Sequence, residues 1–82
     1  MLVKEAYEID RIYVPVKRLK TLEPAKVQEI AESILEEGQQ TPIRLRKGKD
    51  RFVLVEGLHR LEALKALGET QVEGYLVHAR LH

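Results

Sequence analysis

The chain is expected to form one small α+β domain spanning residues 1–82, with a mixed sheet of about four strands and two main helices. Three observations carry this. Segments beginning at Pro24 and at Leu58 repeat apolar residues at three- and four-residue spacing, the period of a helix with one buried face. Other segments are rich in β-branched residues or alternate in polarity, as half-buried strands do. The two kinds of segment interleave within 82 residues, a length that supports a single core in a layered architecture.

The elements follow in order. Ile9, Ile12, Tyr13, Val14 and Val16 give Ile9 to Val16 the composition of a strand, and Pro15 inside it demotes it to an edge strand or one broken by a bulge. Pro24 suits the first position of a helix whose Val27, Ile30, Ala31, Ile34 and Leu35 form the buried stripe. Glu29, Glu32 and Glu36 then face solvent, and Gly38 supplies a left-handed stop. Ile43 and Leu45 alternate with Arg44 and Arg46, and Arg51 to Val55 follows after Lys47-Gly48-Lys49-Asp50, which reads as a hairpin. A second helix runs from Leu58 to Leu67 with Leu58, Leu61, Leu64 and Leu67 buried, and Gly68 ends it. Val72 to Val77 is the last strand. Tyr7, Tyr13, Tyr75 and Phe52 are too few and scattered for a base-stacking platform and are assigned to the core.

Composition removes several function classes. Lys and Arg total 14 against 13 Asp and Glu, so the net charge of +1 carries no nucleic-acid signal, and any such contact needs a local patch. Cysteine is absent, which excludes disulfides, a thiolate nucleophile and cysteine-ligated metal. Lys4, Glu5, Glu8 and Asp10 interrupt the start of the chain, so no signal peptide or membrane span is expected there, and the chain reads as cytoplasmic with no membrane partner. A domain this small cannot wall off a large substrate alone, which leaves a protein partner or a homodimer open.

The most informative stretch is Val55-Glu56-Gly57-Leu58-His59-Arg60, an apolar strand running through a glycine into a basic pair that opens a helix. Unpaired amides and the macrodipole make a helix N-terminus an anion site. Gly57 permits a sharp turn and close approach of a phosphate oxygen, Arg60 offers bidentate contacts and His59 a hydrogen-bond donor. The plainer alternative is a turn followed by a solvated helix start. A second basic group, Arg44, Arg46, Lys47, Lys49 and Arg51 on the hairpin, suits phosphate contacts of a nucleic acid, or alternatively an edge that discourages strand pairing. His78 and His82 have no carboxylate at ligand spacing, so no metal is expected there. Ser33, in the first helix, can bond a ligand or its own backbone.

Several stretches together resemble the ParB/sulfiredoxin superfamily. They are Val14-Pro15-Val16 to Leu19, Glu23-Pro24-Ala25-Lys26-Val27-Gln28 to Ser33-Ile34, Gly38 to Pro42-Ile43, and Glu56-Gly57-Leu58-His59-Arg60 with Glu62-Ala63. The likeness runs from about Ile9 to Val77. The run Pro24 to Gln28 is nearer to sulfiredoxin, whereas Gly38 and Thr41-Pro42-Ile43 are nearer to the ParB N-terminal domain, as a stand-alone copy.

The resemblance implies a nucleotide, ATP in one branch and CTP in the other. Its phosphates would lie on the turn formed by Gly57, Leu58, His59 and Arg60, with Lys26 and Ser33 facing base and ribose. Leu58 occupies the place of the sulfiredoxin cysteine and of a metal-binding ParB glutamate, so sulfiredoxin chemistry is not expected. Glu56, two positions earlier, is the candidate for holding Mg²⁺ or acting as a general base; alternatively it is an exposed carboxylate paired with Arg60 or Lys26. The expected function is nucleotide binding, ATP or ADP ahead of CTP, with weak or absent hydrolysis. The alternatives are a DNA-associated partition-like protein or nuclease, and a small-molecule kinase. The helix-turn-helix that follows in ParB proteins is not encoded here, so sequence-specific DNA reading is not expected.

Overall fold

Proline and glycine punctuate the chain as the sequence suggests. In the computed structural model, which describes residues 3–38 and 41–78, Pro24 opens the long helix and Gly38 closes it at φ 69°, while Gly68 sits beyond the second helix at φ 81°. The order is β1 (Lys4–Glu8), a 3₁₀ turn (Ile9–Arg11), β2 (Ile12–Tyr13), α1 (Val16–Leu19), α2 (Pro24–Glu37), β3 (Ile43–Lys47), β4 (Phe52–Glu56), α3 (Leu58–Ala66) and β5 (Gln71–Leu76). The strands form one mixed sheet in the order β1-β5-β3-β4-β2.

The sheet thus has five strands among the described residues rather than four. Lys4–Glu8 escapes sequence reasoning because Lys-Glu-Ala-Tyr-Glu holds a single strong strand former, and only Tyr7 of the five is buried. Its conformation is set by antiparallel pairing with β5, from Lys4 opposite Tyr75 to Glu8 opposite Gln71. The strand expected over Ile9 to Val16 contracts to two residues. Ile9–Arg11 turns as 3₁₀, and Pro15 ends the strand by capping α1, its carbonyl accepting from Arg18 N–H at 2.9 Å and Leu19 N–H at 3.3 Å. What remains, β2, is an edge strand paired in parallel with β4, which agrees with the edge position expected for a proline-containing segment.

The core lies between the sheet and the α2–α3 pair. Ile43, Leu45 and Leu54 from the sheet meet Ile34 of α2 and Leu58, Leu61 and Leu64 of α3, all buried. Leu35 does not join them: it is 73 % exposed, because the buried face of α2 runs through Val27, Ile30, Ala31 and Ile34, and Leu35 lies about 100° further round the helix. Tyr13 is also exposed, and Tyr75 only half-buried, so neither fills the core. Tyr7 does, and its ring meets Phe52 edge-on at 4.9 Å although two strands separate β1 from β4. The sheet is therefore curled around its contents.

Burial, reinforced by the Glu5 carboxylate, raises the Tyr7 phenol above its ordinary range. The folded state favours the neutral phenol, so this contribution to stability is complete below the unfolded-chain value near pH 10 and is lost as pH rises through the folded value. In a spectrophotometric titration of phenolate, Tyr7 should ionise above the ordinary tyrosine range. Tyr7→Phe should delete that raised step; an unchanged step would assign it elsewhere.

Candidate functional site

The strand-to-helix turn is shaped by a bulge and a glycine. Leu45 pairs with Leu54 and Arg44 with Glu56, so Val55 is the extra residue on β4 and the strand bends before it ends. Glu56 emerges beside Arg44, with Oε1 3.3 Å from the guanidinium Nε. Its partner is thus a cross-strand arginine and neither Arg60 nor Lys26. Gly57 follows at φ 110° and ψ 28°. A Cβ there would lie 2.5 Å from Ile43 Cγ2 and 2.8 Å from Ile43 Cβ. The space gained by lacking a side chain is taken by the core residue Ile43, whereas the sequence reading gave it to a phosphate oxygen.

Beyond Gly57 the helix begins without a side-chain cap. The ladder starts with Leu61 N–H bonding Gly57 O at 2.9 Å, so the amides of Leu58, His59 and Arg60 have no intrahelical acceptor. The Leu58 side chain is buried in the core, which leaves its backbone N–H as its contribution to any site at the turn. Arg60 is half-buried and forms no ion pair among the described residues.

His59 does something the sequence did not reveal. Its Nε2 accepts a hydrogen bond from Glu23 N–H at 3.0 Å, tying the start of α3 to the residue before α2. Acceptance at Nε2 requires the ring proton to sit on Nδ1, which stays a donor. Glu23, absent from the sequence-derived candidates, also pairs its carboxylate with Lys26 at 3.3 Å. A contact between residues 36 apart carries no local signal, so only the fold exposes it. Lys26 and Ser33 lie seven residues apart and share a face of α2. Ser33 donates to Glu37 Oε1 at 2.7 Å, a side-chain bond rather than the backbone bond usual for helical serine.

The structure divides the basic hairpin. Arg44 is engaged by Glu56 at the turn end, while the Arg51 guanidinium stacks 3.8 Å above the Tyr13 ring at the other end of β4. The edge-protecting explanation fails, because β3 is the middle strand, flanked by β5 and β4. His78 is exposed, and His82 lies outside the described residues. Among the described residues no three His, Asp or Glu side chains gather to hold a metal, and no helix is long and apolar enough to cross a membrane.

Comparison with known proteins agrees with this architecture. Residues 4–80 match the model of the ParB N-terminal domain. The chain belongs to the ParB N-terminal domain family. A chromosome-partitioning protein ParB assigned as probable in Campylobacter jejuni is 36% identical over 70 residues, which cover 84% of this chain and 25% of that protein. The chain thus matches about a quarter of that relative's length. Sulfiredoxin from Arabidopsis thaliana shares the fold with a TM-score of 0.81 at 25% identity, covering 94% of this chain and 86% of that one. A free serine kinase in complex with ADP reaches 0.79 at 23% identity over 90% of this chain and 30% of its own. ParB from Caulobacter crescentus complexed with CTP-γ-S reaches 0.74 at 19% identity, covering 98% and 46%.

The Gly57 contact is directly testable. Gly57→Ala combines left-handed strain with overpacking against Ile43 and should cost about 3 kcal/mol, or on the order of 10–20 °C in melting temperature. Combined with Ile43→Ala it should cost clearly less than the sum of the single changes, and additivity in urea unfolding would refute the contact. His59→Ala leaves Glu23 N–H to water and should cost about 1 kcal/mol in the same assay.

Proposed function

We propose that this domain binds a nucleotide, ATP or ADP in preference to CTP, with its phosphates at the Gly57–Arg60 turn. The supporting observation is the coincidence, at one helix start, of three amides without intrahelical acceptors and a half-buried Arg60 that pairs with no carboxylate among the described residues. Such a site supplies oriented donors and positive charge to a phosphate. The preference for adenine rests on Pro24-Ala25-Lys26-Val27-Gln28, the run nearest to sulfiredoxin, with Lys26 and Ser33 on one face of α2 toward base and ribose. Proteins of this fold solved with ADP or with CTP-γ-S show that the fold accommodates both classes.

His59 serves the phosphates either through Nδ1–H or by releasing Glu23 N–H. Mg²⁺ fits as a companion of the nucleotide: it is commonly held by one or two carboxylates plus phosphate oxygens, and Glu56 offers an exposed carboxylate one residue before Gly57. In a weak hydrolytic cycle Glu56 would orient water, while the amides and Arg60 steady the developing charge. A partition-like role for the whole protein is compatible with the family and adds nothing to what these residues can do.

Calorimetric titration with ATP, ADP, CTP and GTP, with and without Mg²⁺, checks the reading. ATP or ADP should bind at least several-fold tighter than CTP, and Arg60→Ala should weaken binding about 10- to 100-fold, the range of a lost charge-assisted hydrogen bond. Glu56→Gln should remove only the Mg²⁺-dependent part. No saturable binding at millimolar nucleotide would dismiss the proposal, and tighter CTP binding would reverse the base assignment.

A further inference from the structure

The side of the sheet away from α2 and α3 carries a hollow that the nucleotide reading does not use. Leu45 and Leu54 pair and face the core, so the next pair along, Arg46 and Val53, faces the opposite side. Val53, Val55, Val77 and Pro15 line a depression of about 420 Å³ there. Arg18, Arg46 and His78 line it as well, and no carboxylate does among the described residues. Neither arginine forms an ion pair among the described residues, while Glu56, the next residue of β4, has its carboxylate on Arg44. Arg46 is half-buried, so its aliphatic stem packs into the wall, whereas Arg18 and His78 are exposed. The fold gathers these groups from distant parts of the chain. Val77 N–H bonds Leu45 O at 2.7 Å, which lays the end of β5 beside β3, and Pro15 and Arg18 come from the start of α1 beyond the edge strand β2.

We propose that this hollow docks an extended segment of a partner protein in which acidic and apolar residues alternate. The composition of the lining selects that chemistry. A phosphodiester chain has no apolar groups to set against Val53, Val55 and Val77, and a purely apolar partner would bury the guanidinium groups and the imidazole without acceptors. Successive side chains of an extended segment point to opposite sides, so one set reaches the valine floor while the carboxylates lie toward Arg18, Arg46 and His78 at the rim. The hollow runs from the end of β5 across β3 and β4 to Pro15 beyond β2, about three strand spacings or 14 Å, which is the length of about four extended residues. Its cations are spread over that length, which suits several carboxylates in a row rather than one.

The test is an amide NMR titration of the full chain with an acetylated, amidated heptapeptide alternating glutamate and leucine. Signals of Val53, Val55, Val77 and His78 should shift saturably, with a dissociation constant on the order of 0.1–1 mM, as for a small exposed interface. Heptaglutamate, which brings the charge without the apolar groups, should bind about tenfold more weakly. Arg18→Glu with His78→Glu should weaken the alternating peptide about tenfold, the scale of two exposed ion pairs replaced by repulsion, and should leave the melting temperature unchanged because both residues are exposed. Val77→Ser, which keeps every charge, should weaken it about three- to tenfold. Lys47→Glu with Lys49→Glu, a comparable charge change on the hairpin, should leave it within about twofold, since exposed charges at a distance are screened. The proposal fails if millimolar peptide moves none of the four signals, if heptaglutamate binds as tightly, if a short single-stranded DNA displaces the peptide at equal concentration, or if the hairpin variant weakens binding as much as the Arg18 and His78 variant.

Discussion

Much of this molecule depends on one side chain having two glycines to lie against. Ile43 is 1 % exposed at the start of the middle strand. On one side a Cβ at Gly57 would collide with it at 2.5 Å; on the other a Cβ at Gly74 would press on its Cγ1 and its carbonyl at 3.2 Å. The two glycines stand at the end of β4 and within β5, so Ile43 fixes both the register of the parallel β3–β5 pair and the point where the chain leaves the sheet for α3. Interiors are close-packed and transmit small displacements. The position of the amides at the turn is therefore a consequence of a core contact, and the core side of Gly57 is already filled.

That constraint also explains why the turn was legible and its details were not. Helix period, Pro24, Gly38 and the Leu58–Leu61–Leu64 stripe are local signals, and each marks an observed element. Gly57 stands out in the sequence because a glycine between a strand and a basic helix start is a local pattern. The reason for it, Ile43, lies fourteen residues away and in another strand, beyond the reach of periodicity. The edge strand Lys4–Glu8 has almost no intrinsic strand preference and exists through pairing with β5. Leu35 departs from the expected stripe because an apolar residue next to a buried stripe does not by itself show on which side of the stripe boundary it falls. Its exposure was decided by how α2 is rotated against the sheet, a tertiary matter.

Charges show the same division. The string Arg44, Arg46, Lys47, Lys49, Arg51 reads as one cluster, yet a strand separates its members along its length and between its faces. Arg44 is drawn to Glu56 by cross-strand register, while Arg51 is drawn to Tyr13 by the edge strand that brings Arg11 with it. A sheet therefore redistributes a linear charge run into two chemically different ends: one where an arginine and a carboxylate balance, and one where cations remain unpaired among the described residues.

Between the two helices, His59 has a double character that follows from hydrogen-bond arithmetic. A neutral imidazole has one donor and one acceptor, and the acceptor is occupied by Glu23 N–H. Because Glu23 also holds Lys26, the group proposed to meet a base and the group proposed to meet phosphates are joined through a single residue at the start of α2. An anion arriving at the α3 amides can use Nδ1–H and leave that link closed. The fold thus ties the starts of the two helices together with a bond whose two partners no sequence pattern connects.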